Sequence, residues 1–464
     1  MRRTVQLLAA VLVLAALGSA QRRGLDVEYR DTAGRLLGAA LVDEGGWKKL
    51  SHITTQIGPR LSGSPQLERA LQWIFESMNA EGLENVRLQP VKVPHWVRGS
   101  ESARMLAPID KTLNMLGLGG SVGTPPQGIT APVIVVRTFD ELEAVGRAKV
   151  EGKIVLYDDV WTDYGGTSLY RGSGAERAAK LGAVAALVRS TAGASLYTAH
   201  TGSQKDSDGG APQIPAAAIT VEDAAWIRRL LESGQAVTVC LKMEAQTLPD
   251  ADSANVMGEI VGRELPNEVV VLGGHIDSWD VGQGAHDDAS GVISAWQALS
   301  LVKRLGLKPR RTLRAVGWTN EENGVRGGTA YRNEIAAQQK HVAAIEMDDG
   351  AERPLGFDFS LRDAGPESPQ SLSAQRKLEE IVRLLDAIGV TRIVPGGGGT
   401  DIAPLKQDGT PTLGLFNLRE HYFDWHHSDA DTLDKIDPQY FRRCIAALAI
   451  MSYVLADMPG TLAD

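Results

Sequence analysis

An α/β fold, with a mostly parallel central sheet flanked by helices and a smaller inserted α/β unit, is predicted by three features of the chain. From about residue 250, apolar strands at 269–272, 312–318, 342–346 and 411–416 alternate with helix-length segments. That is the pattern of a parallel sheet covered on both faces. The glycine- and proline-rich stretch 117–128 sets a boundary near residue 120, after which a compact strand–helix alternation runs to about 249. The chain has 464 residues, and at about 150 residues per domain that length implies two to three domains.

The elements follow in order. Residues 1–20 read as a leader: Arg2 and Arg3, an apolar run at 5–17, then Gly18, Ser19 and Ala20 at a cleavage site. The competing reading is a membrane anchor, but the run is shorter than the roughly 20 residues that span a bilayer. A mature chain starting near Gln21 is expected to be secreted or periplasmic, with no membrane contact once the leader is gone. Ser64 and Pro65 are expected to start a helix with Leu67, Leu71, Ile74, Phe75 and Met78 on one face, ended by Gly82. This segment, 21–119, forms the first part of the main domain. The inserted unit, 120–249, is read as strands at 152–157, 184–189 and 216–220, helices at 175–181 and 221–231, and a polar loop at 191–210. Residues 250–464 form the second part of the main domain.

Composition narrows the function. The net charge of −9 argues against nucleic acid or anionic membrane as a partner. Two cysteines, Cys240 and Cys444, leave a fold that does not depend on disulfides.

The chemistry lies at the strand ends. His275, Asp287, Glu322, Asp348 and His427 occur one after another there, with Glu321 beside Glu322. In open α/β sheets ligands bind beyond the carboxyl ends of the strands. Two first-row metal ions need roughly three protein ligands each, so five residues suffice if one carboxylate bridges. Asp277 stands two residues after His275 and is a candidate acceptor for the imidazole's other nitrogen. Asp287 and Asp288 precede a helix; one aspartate caps it, and a second suggests a further task. Glu321 and Glu322 on a non-helical stretch can point to opposite sides, one to metal and one to the metal's water. Taken singly, each has a bland alternative: a structural histidine, a helix cap, a solvated acidic loop. Their ordered recurrence in one sheet is what those alternatives do not supply.

The series His275-x-Asp277, Asp287-Asp288-x-Ser290-Gly291, Glu321-Glu322, Asp348 and His427-Ser428-x-x-Asp431-Thr432 resembles the pattern of family 28 of the metallopeptidases, over nearly the whole mature chain. The resemblance implies two zinc ions bridged by Asp287, with His275 and Glu322 completing one site and Asp348 and His427 the other. It further implies a metal-bridging hydroxide with Glu321 as general base, a protease-associated domain as the inserted unit, and a homodimer as a compatible assembly. Some relatives carry a tyrosine immediately before the last histidine; His426 stands there, as an oxyanion donor or a structural histidine. Thr400 and Asp401, after the glycine run 396–399, match a family step that lines the substrate pocket, with helix capping by Asp401 as the alternative. Arg60 matches a recurring segment for which a structural role is favoured.

The expected function is an exported dizinc exopeptidase acting on short peptides, foremost dipeptides. Alternatives are an aminopeptidase on longer peptides and a single-zinc glutaminyl cyclase-like acyltransferase. A serine hydrolase is disfavoured because Ser121, in Gly119-Gly120-Ser121-Val122-Gly123, is followed by Thr124-Pro125-Pro126, which denies it the helix a nucleophile elbow needs. A non-catalytic binding module is disfavoured because no ligand position is missing.

Overall fold

The computed structural model describes residues 24–194, 196–205, 212–362, 365 and 367–464. The expected leader at 1–20, the mature start near Gln21, and residues 195 and 206–210 of the expected loop lie outside these.

The main sheet runs in the order Glu84–Val97, Gln246–Ile260, Arg311–Trp318, Leu265–His275, Lys340–Glu346, Thr412–Asn417, Pro354–Ser360, Arg392–Pro395. Its four middle strands, Arg311–Trp318 to Thr412–Asn417, are mutually parallel. Every residue of Arg311–Trp318 is buried, as a strand covered on both faces requires. Helices Ser290–Arg304 and Pro438–Asp457 cover one face. The second starts at Pro438 behind Asp437, whose carboxylate accepts from the Gln439 and Tyr440 amides.

The expected early helix forms as Pro65–Ala80. Ser64 Oγ accepts from the Leu67 amide at 3.2 Å, and Leu67, Leu71, Ile74 and Met78 are buried against the core. Each contributes about 1.5–3 kcal/mol of apolar burial.

The second sheet has the order Lys111–Leu113, Glu101–Ala107, Thr238–Met243, Ile129–Val136, Ile154–Tyr157, Ala185–Arg189, Ala216–Ile219, Met115–Gly117. It reaches back to Glu101, ahead of the boundary expected near residue 120. The glycine- and proline-rich stretch is a connection within this sheet, and the short strands before it are too brief and too polar to stand out. The helix expected at 175–181 begins much earlier and spans Tyr164–Lys180, capped by Asp163. Its buried face is Thr167, Arg171, Gly174, Ala175, Ala178 and Ala179, with no large apolar residue to mark a period. Gly174 is needed there because a Cβ would lie 2.7 Å from the Tyr157 ring.

Cys240 and Cys444 are both free. Ser121 has a structural task, its Oγ accepting from the Ala216 amide at 2.8 Å. Among the described residues no helix is long and apolar enough to cross a membrane.

Candidate metal centre

The parallel register pairs His275 with Trp318, Gly273 with Glu346, and Glu346 with Gly414. The carboxyl ends of the four strands are therefore level, and the loops beyond them converge. Gly274 permits the approach, since a Cβ there would lie 2.0 Å from Asp288 Oδ2. That oxygen accepts from the His275 amide at 3.1 Å, and Asp288 Oδ1 accepts from the Gly291 amide at 2.9 Å. Asp288 thus ties the strand end at His275 to the first turn of the helix at Gly291, which leaves Asp287 for the centre.

Asp287 lies between two donor sets. His275 Nε2 stands 3.1 Å from Asp287 Oδ1 and 3.3 Å from Asp348 Oδ1. His427 Nε2 stands 3.1 Å from Asp287 Oδ2 and 3.1 Å from Glu322 Oε2. The pairing implied by the resemblance, His275 with Glu322 and Asp348 with His427, is therefore corrected: His275 goes with Asp348, and His427 with Glu322. Local anchors impose this. The His275 Nδ1 is tied to the Asp277 carbonyl at 2.9 Å, which turns Nε2 toward Asp348. The Trp279 amide holds Glu322 Oε1 at 3.1 Å and leaves Oε2 for His427.

His426 joins the same group. Its ring stacks on His427 with centroids 3.5 Å apart, and ligand atoms of Asp287, His426 and His427 lie within 4.8 Å of one another. A second such trio is His275, Asp287 and Asp348.

Asp277 does a different task from the one expected. Its carboxylate is 3.8 Å from His275 Nδ1; the imidazole is held by the backbone carbonyl instead. The two carboxylate oxygens accept from the amides of Glu321, at 3.1 Å, and Glu322, at 3.3 Å. Asp277 thus fixes the turn that splays the two glutamates. Asp431 acts likewise on the shared carboxylate, accepting from the His286 and Asp287 amides at 2.8 and 3.2 Å. Arg60 is fully buried and donates to the carbonyls of Gly58, Ile276, Gln283 and Gly284, a brace beneath the loops that carry His275 and Asp287.

The electrostatics are those of a cluster short of positive charge. Burial pushes the Glu321 carboxyl up to about 8, with Asp348, Glu322 and Asp287 adding to it against His275. Glu322 is pushed up to about 7 by burial and Asp287, against His427. Burial opposes charge on His275 and His427, yet the carboxylates outweigh it: Asp348 and Asp287 for the first, Glu322 and Asp287 for the second hold these imidazoles well above their ordinary range. Protons here compete for the positions a cation takes. Asp287 Oδ2 and Asp348 Oδ1 are buried, and although imidazole nitrogens stand 3.1 and 3.3 Å away, neither oxygen is in a well-formed hydrogen bond among the described residues. Two imidazoles, three carboxylates and those two oxygens fit zinc.

A cavity of about 320 Å³ opens over the centre, lined by Asp287, Glu321, Glu322, Asp348, Thr400, His426 and His427 among others. Thr400 is on its wall. Asp401 is buried, and neither of its carboxylate oxygens has a partner among the described residues, so it caps no helix. Its carboxyl is held well above the usual range by burial, then by Glu346 and Glu321. Sequence reasoning missed Glu346, which accepts from the Asp401 and Ile402 amides and is pushed up to about 8 by burial and Asp348. It also missed Tyr164, Arg171 and Ser203 of the second sheet's unit, which line the same cavity. No spacing signal links them to the strand-end motifs.

Comparison with known proteins decides the family. Residues 255–451 match Peptidase family M28, and residues 125–227 match the PA domain. The chain is 45% identical to carboxypeptidase Q of Bos taurus over 417 residues, covering 90% of this chain and 86% of that one. The chain belongs to peptidase family M28. The crystal structure of a peptidase M28 precursor from Shewanella amazonensis superposes with a TM-score of 0.88 at 32% identity, covering 94% of this chain and 98% of that one. A zinc aminopeptidase from Bacillus subtilis shares the fold, with a TM-score of 0.67 at 18% identity over 91% of this chain and 97% of that one. The expected fold class, with its PA domain inserted into an M28 peptidase, is borne out, and so is the expected enzyme class, a zinc-dependent exopeptidase.

Proposed function

We propose that this M28 peptidase is an exported dizinc exopeptidase that hydrolyses short peptides, foremost dipeptides. The observation that carries the reading is the shared carboxylate: Asp287 presents one oxygen to His275 and the other to His427, the arrangement of a residue that belongs to two sites. His275 and Asp348 would hold one ion with it, Glu322 and His427 the other. When bound, the zinc pair supplies Lewis-acid polarisation of the scissile carbonyl and lowers the pKa of water.

The chain's own groups do the rest. Glu321 takes the proton of the attacking water on a carboxylate oxygen and returns it to the leaving amine nitrogen. Its backbone is fixed by Asp277, so the carboxylate reaches the cavity from a rigid turn. His426 is held well below the ordinary histidine range, burial and His427 outweighing Asp287. It is therefore a neutral ring, suited to donate one hydrogen bond to the developing oxyanion. Thr400, on the cavity wall, positions the substrate.

The cavity of about 320 Å³ adjoins a second of about 710 Å³ that shares Asp348, Asp349, Thr400 and Arg419, so the preference for short peptides rests on the charges of the lining and not on volume. The lining carries both signs, with Arg171 and Arg419 as well as Asp349, which suits a short peptide with both termini charged. The aminopeptidase alternative remains for longer peptides. Two donor groups around Asp287 favour two ions over the single-zinc cyclase-like alternative. Export is supported by the leader-like sequence of residues 1–20, and a homodimer by the family resemblance.

Elemental analysis of the purified mature protein, with hydrolysis of a dipeptide library before and after chelation, tests the reading. About two zinc ions per chain and zinc-restored release of amino acids are expected. One zinc with no peptide cleavage refutes it in favour of the cyclase-like enzyme.

A further inference from the structure

The two donor groups around Asp287 are held by different parts of the molecule. His275 and Asp348 are anchored entirely within the main sheet: the His275 amide on Asp288, its Nδ1 on the Asp277 carbonyl, and the Met347 amide on the Gly273 carbonyl at 3.1 Å. His427 and Glu322 are gripped from outside it. The Thr201 amide donates to the His427 carbonyl at 2.8 Å, and the Thr201 carbonyl faces His427 Nδ1 at 3.3 Å. His200 Nδ1 meets the His426 carbonyl at 2.7 Å, and Ser203 Oγ donates to the Glu322 carbonyl at 2.8 Å.

These four residues, 200–203, belong to the inserted unit and are fastened to its sheet. Thr201 Oγ1 donates to the Gly117 carbonyl at 2.7 Å, and the Gly119 amide to the Gly202 carbonyl at 3.0 Å. The Gln204 amide returns to the Gly119 carbonyl at 3.0 Å. Gly202 has a φ of +137°, and a Cβ on it would lie 2.4 Å from the Arg171 guanidinium. The segment therefore admits only glycine at its centre. His427 itself has a φ of +59°, a left-handed conformation uncommon outside glycine. Thr201 holds it through the His427 carbonyl and faces its ring at Nδ1.

We infer that the inserted unit is a clamp for one of the two metal positions: residues 200–203 preorganise the His427–Glu322 group, whereas the His275–Asp348 group stands without them. This rests on the dizinc reading above. Outer groups that orient a ligand typically govern metal affinity by roughly 10–100-fold. The consequence is a pair of sites of separately adjustable affinity, the His427–Glu322 one set by how firmly the inserted unit is docked. His200 and Ser203 are positioning residues; they act through His427 and Glu322.

The test is zinc titration of the metal-free protein against a competing chelator, with folding followed by circular dichroism. Wild type is expected to take up two ions in two steps. His200→Phe combined with Ser203→Ala should weaken one step by roughly 10-fold or more and leave the other unchanged. The loss should persist in an Asp348→Ala background, where the His427–Glu322 group is the one left intact. His200→Asn with Ser203→Thr restores the donors and should restore the step. Two unshifted steps in the double variant, or two steps that weaken together, overturn the inference. A wild type that binds one zinc overturns the dizinc reading itself and this inference with it, a different result from unshifted steps in a wild type that binds two.

Discussion

Glu321→Gln separates base from ligand. The turn that carries the side chain is fixed by the Asp277 carboxylate on the Glu321 and Glu322 amides, at 3.1 and 3.3 Å, and the substitution leaves those bonds in place. Glu321 stands in neither donor group: His275 Nε2 meets Asp287 and Asp348, and His427 Nε2 meets Asp287 and Glu322. Metal content should therefore stay at the wild-type value. What disappears is proton transfer, a contribution of roughly 10²–10⁴ in rate, which is ~3–5 kcal/mol of barrier at about 1.36 kcal/mol per decade. Because the amide keeps the shape of the carboxyl, ground-state binding changes little and the loss falls on kcat, with KM near wild type. Removing one charge also relieves its neighbours, since Glu321 is among the groups that raise Glu346 and Asp401. The assay is steady-state release of amino acid from a dipeptide, with zinc measured on the same preparation. A fall of one zinc per chain, or a kcat within about 3-fold of wild type, would refute the assignment of Glu321 as base.

Three further outcomes are expected. Asp277→Asn sets an amide donor against one of two backbone amides and should lower metal affinity or activity by roughly 10–100-fold, read by zinc content and kcat; wild-type values for both would show the Glu321–Glu322 turn to be self-supporting. Metal-free protein should lose stability as pH rises. Glu321 and Glu346 are pushed up to about 8, Glu322 and Asp431 to about 7. At these four carboxyls the folded state therefore binds more protons than the unfolded one between the ordinary carboxyl range and pH 8, and the stability they contribute, complete below about pH 4, is gone above pH 8, partly offset by His200, His286 and His341, which burial lowers to about 4. Melting temperatures in chelator at pH 5 and pH 8 check this, and saturating zinc should reverse the trend. Ser64→Ala removes the helix cap on Leu67 and should cost about 1 kcal/mol of stability with kcat unchanged, read by thermal unfolding and a dipeptide assay.

Much of this protein was legible in its sequence because the signals were local. A buried parallel strand is a short apolar run whatever surrounds it, so the strands ending at Trp318, Glu346 and Asn417 were visible within a residue or two, whereas the one expected at 269–272 extends over Leu265–His275. Chain order also named the donors and set Asp287 beside its neighbour Asp288. The start of the inserted sheet and the helix Tyr164–Lys180 were not legible, because half-buried short strands and a helix face of glycine and alanine carry no apolar period. The pairing of donors was decided only in three dimensions. Which carboxylate faces which imidazole depends on hydrogen bonds from Trp279, Asp277 and Thr201 that no spacing encodes. Asp277 shows the difference plainly: sequence position made it a partner for the His275 ring, but folding brought the Glu321 and Glu322 amides to its carboxylate and left the ring to a backbone carbonyl. The inserted unit's hold on His427 and Glu322 is likewise tertiary, since contacts separated by 226 and 119 residues exist only once both sheets have formed and docked.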